Sequence, residues 1–234
     1  GVIDASLTSA IPFGNDFSNS VIRAVGYEPD PGESLIAPSS ITVDARYFET
    51  MQIPLLEGRF FDARDTADSM LVIIIDDKLA RKFWGTRSPI GGQMYAGVER
   101  TEETTLYTVV GVVVEHTLYG LVDVPAQIGA YFFPHTQQPL RGQTFAIRTR
   151  DDPQVMVNTV RAEVSALDPG LPLLLAQTME ELISKRLMTR RTPMLIAFPS
   201  PPSPSCFPLS GSTACSLIGL HSAHASLVFA SRSE

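Results

Sequence analysis

Two stretches of this chain, Leu71 to Ile75 and Val109 to Val114, are continuous runs of mostly β-branched apolar residues. A strand wetted on one side alternates apolar with polar residues, so a run without alternation needs cover on both faces. The chain is therefore expected to fold around a sheet with material packed above and below it. Val21 to Tyr27, Tyr107 to Val114, Ala130 to Phe133 and Thr144 to Thr149 read as further strands between turn residues. With 234 residues, 44% of them hydrophobic, there is enough apolar material for one large or two small cores. That excludes a disulfide-stapled miniprotein and a wholly disordered chain.

Four helices are predicted among the strands. Asp44 is placed to cap a helix over Ala45 to Met51, and Asp76 or Asp77 to cap one over Lys78 to Trp84 that Gly85 stops. The third has Asp152 as cap, Pro153 at its first position and an apolar stripe of Met156, Val157, Val160, Val164 and Leu167. Asp168, Pro169 and Gly170 end it, and Leu171 to Leu175 follows as a strand, which makes one βαβ-like unit from Thr144 onward. Thr178 and Glu181 have capping-box spacing for a fourth helix running to about Arg191. From Phe198 the string becomes rich in Pro and Ser without any period and, taken literally, is a disordered tail.

Chemistry is sparse. A formal charge of -7 disfavours nucleic acid as a partner, since no counterion release would reward binding. Cys206 and Cys215 make no disulfide framework and no zinc spacing. His116 and His135 stand alone and read as structural, and His221 and His224 fall in the tail. Asp62, Asp65 and Asp68 recur at every third position, unlike a calcium loop, and read as a solvated loop. Gly91 and Gly92 read as a tight turn, because no Lys-Ser or Lys-Thr follows to hold a phosphate and magnesium. Ser6, Ser9 and Ser69 lack the setting of a hydrolase nucleophile. Phe60, Phe61, Phe83 and Trp84 read as core. No catalytic, cofactor-binding or metal-binding residue is assigned, and binding or mechanical work is favoured over catalysis.

The segment VDARYFETMQIPLLEGRFFDARDTADSMLVIIIDDKLARKFWGTRSPIGG resembles the periplasmic core domain of MacB-like ABC-transporter permeases. The matching phrases are Tyr47 to Phe61, Leu71 to Ile75, Lys78 to Trp84 and Ser88 to Gly91. They continue at Tyr107, Ala130, Ala146, Val160 and Thr178, in order and over nearly all of residues 1–195. The resemblance implies an α+β fold of mixed sheets with packed helices, in which a porter-like α/β subdomain from the chain's two ends carries a more β-rich insertion. It implies the extracytoplasmic part of an ABC transporter permease, non-catalytic, moved by a separate ATPase domain or subunit. Its expected partners are that ATPase, a second permease copy and a periplasmic adaptor. Its expected place is a bacterial inner membrane, with this domain on the periplasmic side. The alternative is a freestanding soluble binding domain; hydrolytic activity is a third.

In such permeases an FtsX-like hydrophobic segment should begin just after the position of Arg191, and here Pro and Ser stand instead. Reading GC-rich codons for Leu and Ala out of frame yields Ser, Pro and Cys. Shifted by one frame, Gly211 to Ser216 can encode Ile-Tyr-Gly-Val-Leu, His221 to Ser226 Gln-Arg-Thr-Arg-Glu, and Phe229 to Glu234 Ile-Arg-Val-Ala-Leu-Gly. These are phrases of the permease family in their expected order. Residues 196–234 are accordingly expected to be a frameshifted transmembrane segment, disordered as written, with a genuine Pro/Ser-rich linker as the competitor.

Overall fold

In a computed structural model, the described residues are 1–14, 18–115, 129–140, 142–170, 173–185 and 225–231. The strands are β1 (Val2–Thr8), β2 (Ser18–Asn19), β3 (Ile22–Ala24), β4 (Ser39–Val43), β5 (Leu55–Gly58), β6 (Val72–Asp76), β7 (Gln93–Ala96), β8 (Leu106–Val113), β9 (Ala130–Pro134), β10 (Thr144–Thr149), β11 (Leu173–Thr178) and β12 (Ala225–Ser231). Three helices, α1 (Tyr47–Thr50), α2 (Asp77–Trp84) and α3 (Pro153–Leu167), pack on them, and residues 179–185 are helical as well. The fold is α+β, as expected.

The strands join in one mixed sheet of order β11-β12-β10-β1-β4-β9-β6-β8-β7-β3, with β2 on β4 and β5 on β8. It divides naturally into two lobes. The terminal lobe holds β1, β10, β11, β12 and α3, drawn from both ends of the sequence; everything from β2 to β9 forms the inserted lobe.

The unbroken apolar runs lie at the centre of the inserted lobe, and successive residues serve opposite faces. Val72, Ile74, Ala130 and Phe132 pack with Tyr47 and Phe48 of α1 and with Phe61. Ile73, Ile75, Tyr131 and Phe133 pack with Leu79, Ala80 and Phe83 of α2. Both faces are covered, so no position in β6 or β9 is wetted, and in β8 Val109 and Val112 pack on the α2 side and Val113 on the α1 side.

The helix ends follow the sequence signals closely in three of four cases. Asp76 accepts from Leu79 N at 2.8 Å and caps α2. Asp152 accepts from Gln154 N at 2.9 Å with Pro153 in the first turn of α3. Thr178 and Glu181 form a reciprocal capping box, each backbone N–H donating to the other's side chain at 3.2 Å. Asp44 departs from expectation. Helix α1 begins only at Tyr47, with Arg46 at its cap position, and the Asp44 carboxylate accepts from Arg46 N two residues too early to cap. Its role is an Asx turn that aims the chain into α1.

Other differences are local. The strand expected over Val21 to Tyr27 contracts to β3, and the one expected from Leu171 is β11. The β10–α3–β11 unit is present, but β12 lies between its two strands and is parallel to both. A tail expected to lack regular structure thus contributes a strand at Ala225–Ser231, whose run Leu227, Val228 and Phe229 includes β-branched and aromatic residues that favour strands. The remainder of the tail, with Cys206, Cys215, His221 and His224, and the expected helix beyond residue 185 lie outside the described residues. Leu167, the last member of the α3 stripe, is 85% exposed, while Met156, Val157 and Val160 pack on Ile147 and Ala176.

Candidate functional site

Strand register places the start of β1 and the end of β11 at one end of the terminal lobe. Val2 at the start of β1 pairs with Thr149 at the end of β10. Thr178 at the end of β11 is level with Ile147 of β10, both being opposite Phe229 of β12. Three strand spacings separate β1 from β11, or about 14 Å at the usual distance between neighbouring strands. Polar contacts lock this end: Arg150 N donates to the Gly1 carbonyl at 3.0 Å, and Gln154 Nε2 donates to Glu181 Oε1 at 2.8 Å. The second contact ties the start of α3 to the start of helical residues 179–185. A cleft of about 490 Å³ lies between these two starts, lined by Asp152, Gln154, Thr178, Met179, Glu181 and Ile183 among others. The capping residues are therefore also the residues that fix the direction in which the chain leaves β11.

Among the buried titratable groups, Asp76 is strongly perturbed. It is 1% exposed and accepts from Leu79 N and, at 2.7 Å, from Ala130 N, so it links the start of α2 to the start of β9. Burial pushes its carboxyl up to about 7 against those two N–H donors, with Glu115 and Asp77 adding to the rise. Gly129 adopts φ +97 beside it, and a Cβ there would lie 2.5 Å from Asp76 Oδ1. Glu115 N donates to Asp77 at 2.9 Å, and Lys78 pairs with Glu115 at 3.0 Å.

This environment carries a pH prediction. Between an unfolded value near 3.8 and a folded value of about 7, only the folded protein keeps the Asp76 proton. The stability it contributes is complete below the unfolded value and is lost as pH rises through the folded one. In urea titrations, wild type should therefore lose stability relative to Asp76→Asn as pH goes from 5 to 8. A flat difference across that range would contradict the reading.

The acidic triplet is not the solvated loop that its spacing suggests. Asp65 is 3% exposed and takes a bidentate pair from Arg59 at 2.7 and 2.8 Å. Burial alone would raise its carboxyl, yet the Arg59 guanidinium and the Asp62 N–H hold it below its ordinary value. Asp62 is paired with Arg59 and Arg64, and only Asp68 is open to solvent. Gln137 completes the clamp by donating to the Thr66 and Met70 carbonyls and accepting from Val72 N at 3.0 Å. The residues pin the 59–70 loop to the turn after β9.

The other described candidates make local packing and hydrogen-bond contacts. His135 Nδ1 lies 3.2 Å from Gln143 Nε2, and His116 is outside the described residues. Ser9 accepts from Thr42 N at 2.9 Å, and Ser69 donates to the Thr66 carbonyl at 2.8 Å. Gly91 and Gly92 form the expected turn, with Gly92 N donating to the Pro89 carbonyl at 2.9 Å. Phe61 and Phe83 are core, and Phe60 stacks on Phe48 at 5.2 Å between ring centres. Among the described residues, no helix is long and apolar enough to cross a membrane.

A sequence model for the MacB-like periplasmic core domain matches residues 5–167. The chain belongs to that family, a class of periplasmic domain found in ABC-type transporter permeases. Among solved structures it is similar to the periplasmic region of MacB from Actinobacillus actinomycetemcomitans, with 13% identity and TM-score 0.48, over 71% of this chain and 67% of that one. It is also similar to the extracellular domain of the noncanonic ABC-type transporter YknZ from Gram-positive bacteria, with 19% identity and TM-score 0.38. That match covers 57% of this chain and 55% of the YknZ domain. No curated protein sequence matches the chain significantly.

Proposed function

We propose that this domain passes motion between an ATP-driven transporter and the extracytoplasmic space, for export or for handling a substrate outside the membrane. The observation that carries the reading is the shared end of the terminal lobe at which β1 begins and β11 stops. Two membrane helices packed at the usual 8–10 Å, or slightly splayed, could each join one of these points. A rigid body held at two such points tilts when its supports move, and needs no reactive side chain to do so. ATP would be bound by a separate domain or subunit; a second permease copy and a periplasmic adaptor are the further partners. Residues 1–195 form the core domain in this account. Residues 196–234 are a membrane segment read out of frame, with the native frame supplying the span; β12 then belongs only to the chain as written, and with β11 directly beside β10 the step from β1 to β11 is two strand spacings, about 10 Å.

The test is the surrounding DNA together with cell fractionation. A reading frame that encodes an apolar helix before Gly1 and another after Arg191 should yield a product that pellets with membranes. If neither neighbouring frame carries an apolar run and the product stays in the soluble fraction, the domain is a freestanding binding module instead.

A further inference from the structure

We infer that the seam between the two lobes is a hydrated hinge. The sheet is continuous there only in a narrow sense, since Thr8 with Val43 is the single register pair between β1 and β4. Ser9 N to the Thr42 carbonyl at 2.8 Å and Asp44 N to the Leu7 carbonyl at 2.9 Å support it. By contrast, β1 follows β10 along its whole length, and β4 follows β9.

The cores do not cross the seam. The two large apolar clusters belong to the inserted lobe with Ala10, while Ile147, Met156, Val157, Val160 and Ala176 form their own cluster in the terminal lobe. Among the described residues, the apolar link is small: Ile11 and Phe13 against Met179 and Leu182. Domain interfaces without a shared apolar core are the ones that move.

What meets at the seam is polar. Alternation along β1 and β10 puts Asp4, Ser6 and Thr8 on one face with Ala146 and Arg148. Helix α1 packs on that face, with Arg46 reaching Asp4 at 2.5 Å and Tyr47 lying beside Thr8. Ser6 Oγ, Thr50 Oγ1 and Arg148 Nε are buried there without a hydrogen-bond partner, and Tyr47 OH has nothing beyond its approach to the Thr8 hydroxyl. The Thr8 hydroxyl donates to the Ala10 carbonyl at 2.7 Å, so towards Tyr47 it can act only as an acceptor. Only one further such atom, Gln143 Oε1, occurs among the described residues, so the unpaired groups are concentrated at the lobe contact. Buried hydroxyls and a guanidinium N–H left unpaired are costly, whereas a site rich in donors and acceptors is what an internal water needs. Water-bridged groups exchange partners as surfaces slide; interlocked apolar side chains resist it. The apolar link at Leu182 would serve as the pivot.

The inference goes beyond the transport reading and does not depend on it, because the hinge should be present in the isolated chain without nucleotide. The test uses spin labels on the full chain with Cys206→Ser and Cys215→Ser. Labels at Asp68→Cys and Glu163→Cys span the lobes; labels at Asp68→Cys and Gln93→Cys stay within the inserted lobe. The distance distribution across the lobes should be at least about twice as wide as the internal one. Equal widths would overturn the hinge. Thr50→Val tests the hydration separately: loss of a water partner should lower Tm, and an unchanged or higher Tm would show that the hydroxyl is dry. If Thr50→Val fails to fold, a crystal structure of the parent chain decides, with ordered water bonded to at least two of the four groups expected and a dry contact contradicting the claim.

Discussion

Phe48→Ala is expected to destabilise the protein by about 3–5 kcal/mol, the range for removing a large, fully buried aromatic side chain. The Phe48 ring is buried and touches four others: Tyr47 edge-on at 5.5 Å, Phe132 edge-on at 5.1 Å, Phe60 stacked at 5.2 Å and Phe61 tilted at 6.2 Å. These neighbours come from α1, β9 and the 59–61 segment, so no single element can shift to refill the space. The surrounding structure relaxes only partly, and a cavity remains. Leu167→Ala is the control. It removes a large apolar side chain that is 85% exposed, and the change should stay within about 0.5 kcal/mol. Urea denaturation of both variants checks the pair. Similar losses at the two sites would mean that the inserted lobe is not organised around this aromatic cluster.

The second large effect is expected at Gly58, where strand β5 leaves β8. Its φ of +79 disfavours any side chain, and a Cβ would stand 2.2 Å from the Val110 carbonyl oxygen and 2.7 Å from Ile90 Cδ1. The adjacent bond from Arg59 N to that carbonyl, at 2.9 Å, would have to stretch to make room. Gly58→Ala should therefore cost about 3 kcal/mol or more, combining left-handed strain with a damaged ladder bond. Gly26 separates these contributions, since it has nearly the same φ, +81, but nothing within 4 Å of an added Cβ. Gly26→Ala should cost about 1–2 kcal/mol from backbone conformation alone. Thermal unfolding of both variants reads the difference, and equal shifts would show that the close approach to Val110 carries no weight.

Phe48 and Gly58 also show what the sequence makes legible. The unbroken runs at β6 and β8 announce a sheet covered on both faces, and the capping residues Asp76, Asp152 and Thr178 mark helix starts because their chemistry is local. Strand β1 is harder to see, since its inward positions are Asp4, Ser6 and Thr8 and the usual apolar-in pattern is reversed. That reversal reflects its position at a polar seam. Asp65 is hidden for a related reason: an acid in a charged string looks solvated until Arg59 and the turn after β9 close over it. The link from Asp76 to Ala130 spans 54 positions, and no local pattern encodes it. The common end at which β1 begins and β11 stops follows from strand register, which the sequence suggests only through its likeness to MacB-type domains.

The central claim is that this domain moves as the extracytoplasmic lever of an ATP-driven permease. It is tested most directly in the complete permease, reconstituted in a bilayer with its ATPase and carrying a dye at Asp68→Cys, with acceptor dye on the lipid headgroups. Energy transfer between domain and bilayer should change when ATP is bound and return after hydrolysis, and the change should vanish when the ATPase is inactivated. Energy transfer that stays constant while ATP is being hydrolysed would contradict the account.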